Sequence, residues 1–382
     1  MASKRKHSTR NLCGLREKPY TLITGGCGFI GTNLAARLLL SGEDVLLYDN
    51  LSRRGSDKNL EWLRQQYGER VQVEVAGICD RDRLHLAVAK AKAVFHFAAQ
   101  VAVTTSVANP LEDFLINAQG TLLLLEELRA LADPPPLLFT STNKVYGALS
   151  KLSLRATASS YQPEDARIRS RGIGEDRPLD LHSPYGCSKG AGDQYVLDYA
   201  RTFGIPAVVF RMSCIYGPHQ NGNEDQGWVA HFLIRALDKK QITIYGDGRQ
   251  VRDLLYIGDL VNAFLLALEN ARNLSGQAFN IGGGPENALS LLDVLDLIES
   301  ITGERPSFTI EPPRIGDQRY YVTDSEKFRS ATRWVPEVSV RRGIELLHGW
   351  LTTQRAGFPA KQALPRRQDE VRTYQSPLVI QG

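Results

Sequence analysis

Tyr185 and Lys189 are the residues of this 382-residue chain whose types and spacing point most directly to chemistry. They lie in the run His182-Ser183-Pro184-Tyr185-Gly186-Cys187-Ser188-Lys189, which opens a predicted helix to about residue 203. Four residues apart on a helix, a phenol and an ammonium share one face. A third group, the hydroxyl of Thr142, leaves the predicted strand 137–141. Tyrosine is a poor base at its ordinary pKa of ~10, but a nearby cation favours the phenolate, and a shift of ~3 units corresponds to ~4 kcal/mol. Such a phenolate can take the proton of an alcohol whose oxygen a second hydroxyl holds. A lone Tyr-x-x-x-Lys also arises by chance as surface decoration, so its meaning depends on what else the chain supplies.

The chain supplies a nucleotide-binding start. Thr21-Leu22-Ile23-Thr24-Gly25-Gly26-Cys27-Gly28-Phe29-Ile30-Gly31, followed by the helical run 32–40, reads as a buried strand, a tight turn and a helix start. Gly25 allows the turn, Gly28 the close approach of backbone to a pyrophosphate, and Gly31 the contact of helix with sheet. Phe29 and Ile30 begin the helix, whose positive end faces the phosphates. The next predicted strand, 43–49, ends in Asp49, about 20 residues beyond the glycines, where a carboxylate accepts the adenosine ribose hydroxyls. Its charge repels a 2′-phosphate and favours NAD. Asn50, Ser52 and Arg53 follow in the loop; Arg53 and Arg54 read as solvated charges or pyrophosphate neighbours. Ile78, after the third strand, and Phe97-Ala98-Ala99, ending the fourth, are further cofactor contacts, the alanines small enough for backbone to pass a flat ring. With NAD present, Tyr185 can take a proton from a substrate hydroxyl while a hydride leaves the same carbon.

These residues need a scaffold. Strands at 71–75, 93–99, 137–141 and 207–211 alternate with helices near 60–67, 81–90, 113–131 and 185–203, the pattern of a parallel sheet covered on both faces. The fold class is α/β, a Rossmann-like doubly wound parallel sheet with a smaller C-terminal α/β lobe. The expected division is a basic disordered tail at 1–18, a nucleotide-binding domain at 19–217 with 250–284, a substrate lobe at 218–249 with 285–351, and a disordered tail at 352–382. His96, inside a strand, reads as a packing or hydrogen-bonding residue. Residues 148–181 read as a long polar loop, a lid over the substrate. The helix 113–131 is apolar on most faces and suggests, with the helix beginning at 184, a homodimer or homotetramer.

A formal net charge of +4 gives no argument for nucleic acid, and no apolar run is long enough to span a membrane. The five cysteines are odd in number and lack metal-ligand spacing, so no metal is expected and a reducing cytoplasm is the simplest location.

The chain resembles the extended short-chain dehydrogenases/reductases of the nucleotide-sugar epimerase/dehydratase family over about residues 19–350. The resemblance is carried by Ser141-Thr142-Asn143-Lys144-Val145-Tyr146-Gly147, the insertion after it, His182 to Lys189 with Gly190 to Tyr195, Asp225-Gln226-Gly227-Trp228 and Gln250-Val251-Arg252-Asp253. It implies Tyr185 as base, Lys189 as its activator and ribose ligand, and Thr142 as partner hydroxyl. Met212 and Ser213 would face the nicotinamide carboxamide, and Asn143, Gln226 and Tyr245 the substrate. Arg252 and Arg314 would hold the sugar-nucleotide diphosphate, although an ion pair of Arg252 with Asp253 is the structural alternative. Two departures are Gly77, where many relatives have an acid for the adenine amino group, and Cys214, where several carry Asn. Dehydratase relatives carry Asp-Glu after the catalytic hydroxyl to eliminate water; Asn143-Lys144 stands here instead. The implied activity is therefore NAD-dependent nucleotide-sugar epimerisation, foremost at carbon 2 of a CDP-sugar. The alternatives are 4-epimerisation of a UDP-hexose, a dehydratase or decarboxylase of the same fold, and a non-catalytic NAD(P)-sensing scaffold.

Overall fold

The computed structural model describes residues 18–314 and 316–356. The expected tails therefore lie mostly outside the described residues, but the last helix, Val340–Arg355, runs four residues into the stretch expected to be disordered, with Leu347 and Leu351 buried.

Seven strands form the central sheet: β1 (Tyr20–Thr24), β2 (Val45–Tyr48), β3 (Val71–Glu74), β4 (Ala91–His96), β5 (Leu137–Thr142), β6 (Ala207–Met212) and β7 (Gln277–Ile281). Every pairing is parallel, and the spatial order is β3-β2-β1-β4-β5-β6-β7. Residues of β1, β2 and β5 are buried throughout, which is why these strands read as continuous apolar or threonine runs instead of alternating ones. The order reverses between β1 and β4, where open α/β sheets leave a crevice beyond their carboxyl ends. Register aligns what leaves those ends. Thr24 pairs with Tyr48 and with His96, so Gly25, Asp49 and Phe97 emerge at one height. Thr142 likewise pairs with Met212.

The helix Ser183–Phe203 has Pro184 in its first turn and ends at Gly204 in the left-handed conformation. Its buried stripe, Tyr185, Ser188, Lys189, Gly192, Asp193, Val196 and Tyr199, has helical spacing but is half polar. A stripe of this kind has a hydrogen-bonding task besides packing.

Three elements differ from expectation. The helix expected at 113–131 starts at Pro110, capped by the Asn109 side chain, and Leu115–Gln119 winds as a π-turn before Gly120–Arg129. Residues 148–181, expected as a long loop, carry regular structure. They form a hairpin, Leu154–Ala156 with Tyr161–Pro163, and a helix, Ala166–Arg171, and none of them lines the cleft described below. Leu149, Leu152, Ile168, Ile173 and Leu179 dock instead on Val145, Tyr146 and Tyr321, and the Tyr161 amide donates to the Arg249 carbonyl. These apolar residues are too sparse to show a period in sequence. Finally, the strand Val251–Tyr256, expected within the nucleotide-binding domain, joins no strand of the central sheet; it pairs with Cys214–Tyr216, Ala288–Ser290 and Tyr320–Tyr321 as a seam between the two parts. A second small sheet, Ile242–Tyr245 with Phe308–Glu311, packs with helices Trp228–Leu237, Leu291–Thr302 and Val340–Arg355 around a separate apolar core.

Candidate active site

A cleft of about 520 Å³ runs along the carboxyl ends of β1 to β6, within the usual range for small-molecule sites. Every residue expected to bind cofactor lines it: Gly25, Gly28, Phe29, Ile30, Gly31, Asp49, Asn50, Ser52, Arg53, Ile78, Phe97, Ala98, Ala99, Tyr185, Lys189, Met212 and Ser213.

The cofactor end fits a dinucleotide on its own geometry. Gly25 has φ +67°, and a Cβ there would lie 2.7 Å from the Ala98 nitrogen; one on Gly31 would lie 2.5 Å from the Gly25 carbonyl. Only glycine fits the turn this tightly. The helix Phe29–Leu40 is N-capped by Gly28, which has no side chain to satisfy the first-turn amides, so these stay available to an anion. Asp49 is fixed by the amides of Cys27 (3.0 Å) and Leu51 (2.8 Å), which hold its carboxylate at the rim of the cleft. The buried Ser141 hydroxyl, also on the cleft wall, has no partner among the protein atoms.

Behind this end His96 is fully enclosed, and burial holds its ring down to about 3. Its neighbours fix the tautomer. The Thr121 hydroxyl donates to the Asn117 carbonyl (2.6 Å), so the His96 Nε2–H donates to Thr121 (3.1 Å). Nδ1 is then the acceptor for the Thr24 hydroxyl (2.6 Å), whose oxygen takes the Ala98 amide (3.3 Å). His96 is thus a structural link, as its position in a strand suggested.

At the catalytic end Tyr185 is buried beside the Thr142 hydroxyl. Burial pushes the phenol up to about 12, against the Thr142 hydrogen bond and the Arg53 charge. Burial also pulls Lys189 down to about 8, against Asp193 and Asp113. Lys189 was expected to supply the cation that acidifies Tyr185. The Arg53 guanidinium also acts on Tyr185 and donates to Gln226 across the cleft, while the Lys189 ammonium lies 4.4 Å from the Phe139 ring centroid.

The expected substrate residues divide. Thr142 and Gln226 line the cleft; Asn143, Tyr245, Arg252 and Arg314 do not. Arg314 lies over the Tyr245 ring at 3.8 Å and pairs with Asp225 (3.3 Å), itself a lining residue, so these two stand at the rim. Arg252 is buried and engaged with Asp317 (2.7 Å) and the Gln318 carbonyl (2.6 Å), not with Asp253. Asn143 donates to the Gln318 side chain (3.3 Å), and Lys144 reaches the Gly316 carbonyl (3.3 Å) and Asp317 (3.5 Å). The pair in the dehydratase acid–base position therefore clamps the 316–318 loop to the turn that carries Thr142. Cys214 does line the cleft, with its sulfur accepting from the Trp228 indole at 3.4 Å. Sequence reasoning missed Asp113, Asn117 and Gln100, which pack behind the catalytic helix; only the helical spacing of Asp113 and Asn117 hinted at them.

Among the described residues no cluster has a metal-ligand set, and no helix is long and apolar enough to cross a membrane. The four described cysteines are unpaired.

Comparison with known proteins agrees with this architecture. The chain is 44% identical over 338 residues to CDP-paratose 2-epimerase of Salmonella typhi, covering 87% of this chain and 99% of that one. It is 33% identical to UDP-glucose 4-epimerase of Mycolicibacterium smegmatis, over 85% of this chain and 96% of the relative. Among solved structures, UDP-glucuronic acid 4-epimerase from Bacillus cereus, in complex with UDP-glucuronic acid and NAD, superposes with a TM-score of 0.75 at 27% identity, covering 88% and 99% of the two chains. The glycine cradle, the Asp49 rim and the Tyr185–Lys189 helix thus stand in a fold shared with nucleotide-sugar epimerases that use NAD. Residues 21–282 match the NAD dependent epimerase/dehydratase family, and this chain belongs to it.

Proposed function

We propose that the protein inverts carbon 2 of a CDP-linked 3,6-dideoxyhexose of the paratose/tyvelose type. The 44% identity to a CDP-paratose 2-epimerase over almost that enzyme's whole length carries the reading. The cleft adds a chemical argument. Its lining carboxylates are Asp49, held at the cofactor end by two amides, and Asp225, paired with Arg314. Neither stands beside Thr142 as an acid for eliminating water, whereas epimerisation needs only reversible oxidation at one carbon.

NAD, when bound, supplies the hydride acceptor and, once oxidised, a positive charge in the cleft. The chain's own residues do the rest. Thr142 holds the substrate oxygen, Tyr185 takes its proton and later returns it, and Lys189 holds the cofactor ribose and adds positive charge. Arg314 and Tyr245 at the rim receive the nucleotide diphosphate, for which a guanidinium is suited, with Gln226 beside them. In a 3,6-dideoxyhexose a ketone at carbon 4 does not acidify carbon 2, so oxidation at carbon 2 itself is the direct route.

Proton NMR of the purified enzyme with CDP-, UDP-, GDP- and dTDP-sugars in deuterated water tests this. The expected product is a CDP-sugar epimer without deuterium at the inverted carbon 2. Inversion at carbon 4 of a UDP-hexose, or deuterium entering next to a ketone, would replace the proposal with the corresponding 4-epimerase or dehydratase.

The protein also acts as a homodimer in this reading. Val107, Leu111, Phe114, Tyr195 and Phe203 are 44–67% exposed on the helices Val103–Ala108, Pro110–Phe114 and Ser183–Phe203, which pack together and offer one apolar face. Light scattering is expected to give twice the chain mass, and Leu111→Glu with Phe114→Glu is expected to halve it. A wild-type monomer refutes the assignment.

A further inference from the structure

We propose that the Ser141 hydroxyl is a further cofactor ligand, pairing with a hydroxyl of the ribose at the nicotinamide end of NAD, beside Lys189. The inference rests on the reading of Lys189 as the ribose ligand given above.

Three hydroxyls end β5, and the protein itself engages two of them. Thr140 donates to the His96 carbonyl (3.2 Å), while Thr142 accepts the Lys144 amide (3.2 Å) and donates to the Asn143 side chain (3.3 Å). Ser141, 3% exposed between them, has no partner for its hydroxyl. Leaving a buried hydroxyl unpaired is costly, and an alanine of nearly the same shape would not carry that cost.

Strand geometry gives the side of the sheet that Ser141 faces. It lies opposite Arg211 of β6 in register, and opposed residues of a parallel pair share a face. Arg211 meets Asp193 of the helix Ser183–Phe203. Phe139, two residues before Ser141 and so on the same face, lies under the Lys189 ammonium of that helix. Ser141 and Lys189 thus belong to one patch, and both line the cleft.

The path of a dinucleotide selects the part that comes here. Asp49 follows β2 and the glycine turn follows β1, on one side of the point where strand order reverses. β5 lies on the other side, beyond β4, so it meets the nicotinamide half. An ammonium only donates, whereas a ribose hydroxyl both accepts and donates. One such hydroxyl can accept from Lys189 and give its proton to the Ser141 oxygen. Serine has three staggered χ1 positions with which to aim that oxygen.

The test is calorimetric titration of the full chain, freed of nucleotide, with NAD, ADP-ribose and ADP. ADP-ribose keeps the second ribose without the nicotinamide, and ADP lacks both. Ser141→Ala is expected to weaken NAD and ADP-ribose equally, about five- to tenfold, the worth of one hydrogen bond, and to leave ADP unchanged. The melting temperature of the nucleotide-free variant is expected to match or exceed that of wild type, because the hydroxyl it loses has no protein partner. A lower one would mark Ser141 as structural and overturn the proposal. Unchanged affinity for all three ligands would also overturn it, as would a loss confined to NAD, which points to the carboxamide, or a loss shared by ADP. Ser141→Cys, with a thiol that is a weak donor and acceptor, is expected to give the same pattern and serves if the Ala variant does not fold. Wild type binding ADP-ribose no more tightly than ADP would refute the Lys189 reading as well, so the two failures are told apart.

Discussion

Replacing Tyr185 by Phe is expected to leave NAD binding intact and to lower kcat about 10²–10⁴-fold, the usual contribution of a positioned general acid–base group. The substitution removes one oxygen from a buried ring and leaves its packing in place. Thr142 keeps its own anchors, accepting from the Lys144 amide at 3.2 Å and donating to Asn143 at 3.3 Å. The glycine turn and Asp49 belong to other strands, and nothing in their hydrogen bonding involves Tyr185. Turnover should thus fall while cofactor stays, which steady-state rates and the NAD released on denaturation measure together. A variant within tenfold of wild type would show that Tyr185 does not handle the proton. It would also revive a sensor-like role for the cleft.

The largest loss of stability is expected from Asp193→Ala. Asp193 is fully buried, and its two oxygens accept both the Nε and Nη2 groups of Arg211, whose side chain is itself nearly enclosed. Without Asp193 the guanidinium keeps the Tyr146 hydroxyl at 3.2 Å but no countercharge. Breaking one side of such a pair costs about 3–5 kcal/mol, because the remaining charge is stranded out of water. The damage should spread, since Tyr146 donates to Asn280 at 2.7 Å and Asn280 holds the Ile173 carbonyl of the 148–181 insertion at 2.9 Å. Urea denaturation should show the lower midpoint. The exposed pair Arg201–Asp198, at 3.7 Å on the same helix, is the internal control, and its loss should cost under about 1 kcal/mol. Equal effects at the two sites would remove the argument from burial.

Much of this site is legible in the sequence because it rests on local geometry. A glycine turn between a strand and a helix, an acid ending the next strand, and a phenol one helical turn from an ammonium all follow from periods of two and 3.6 residues. These periods are properties of the backbone, so the residue types at those positions already point to the candidate cofactor-binding end and the candidate catalytic pair. The sequence by itself therefore determined the α/β class and the family.

The tertiary structure decided what depends on residues far apart in the chain. Arg252 read as a phosphate ligand, with an Asp253 ion pair as the alternative, until the 316–318 loop placed Asp317 against it. Asn143 read as substrate-facing until Gln318, over 170 positions away, claimed it, as Gly316 claimed its neighbour Lys144. The insertion read as an irregular loop because its five apolar anchors have no period; their docking site is made by Val145, Tyr146 and Tyr321. Asp113 met its buried partner, the Ser188 hydroxyl 75 positions away, only in the folded chain. In each case a polar or apolar group had several possible partners, and the one it took was fixed by strand register and helix packing, which no local stretch of sequence encodes.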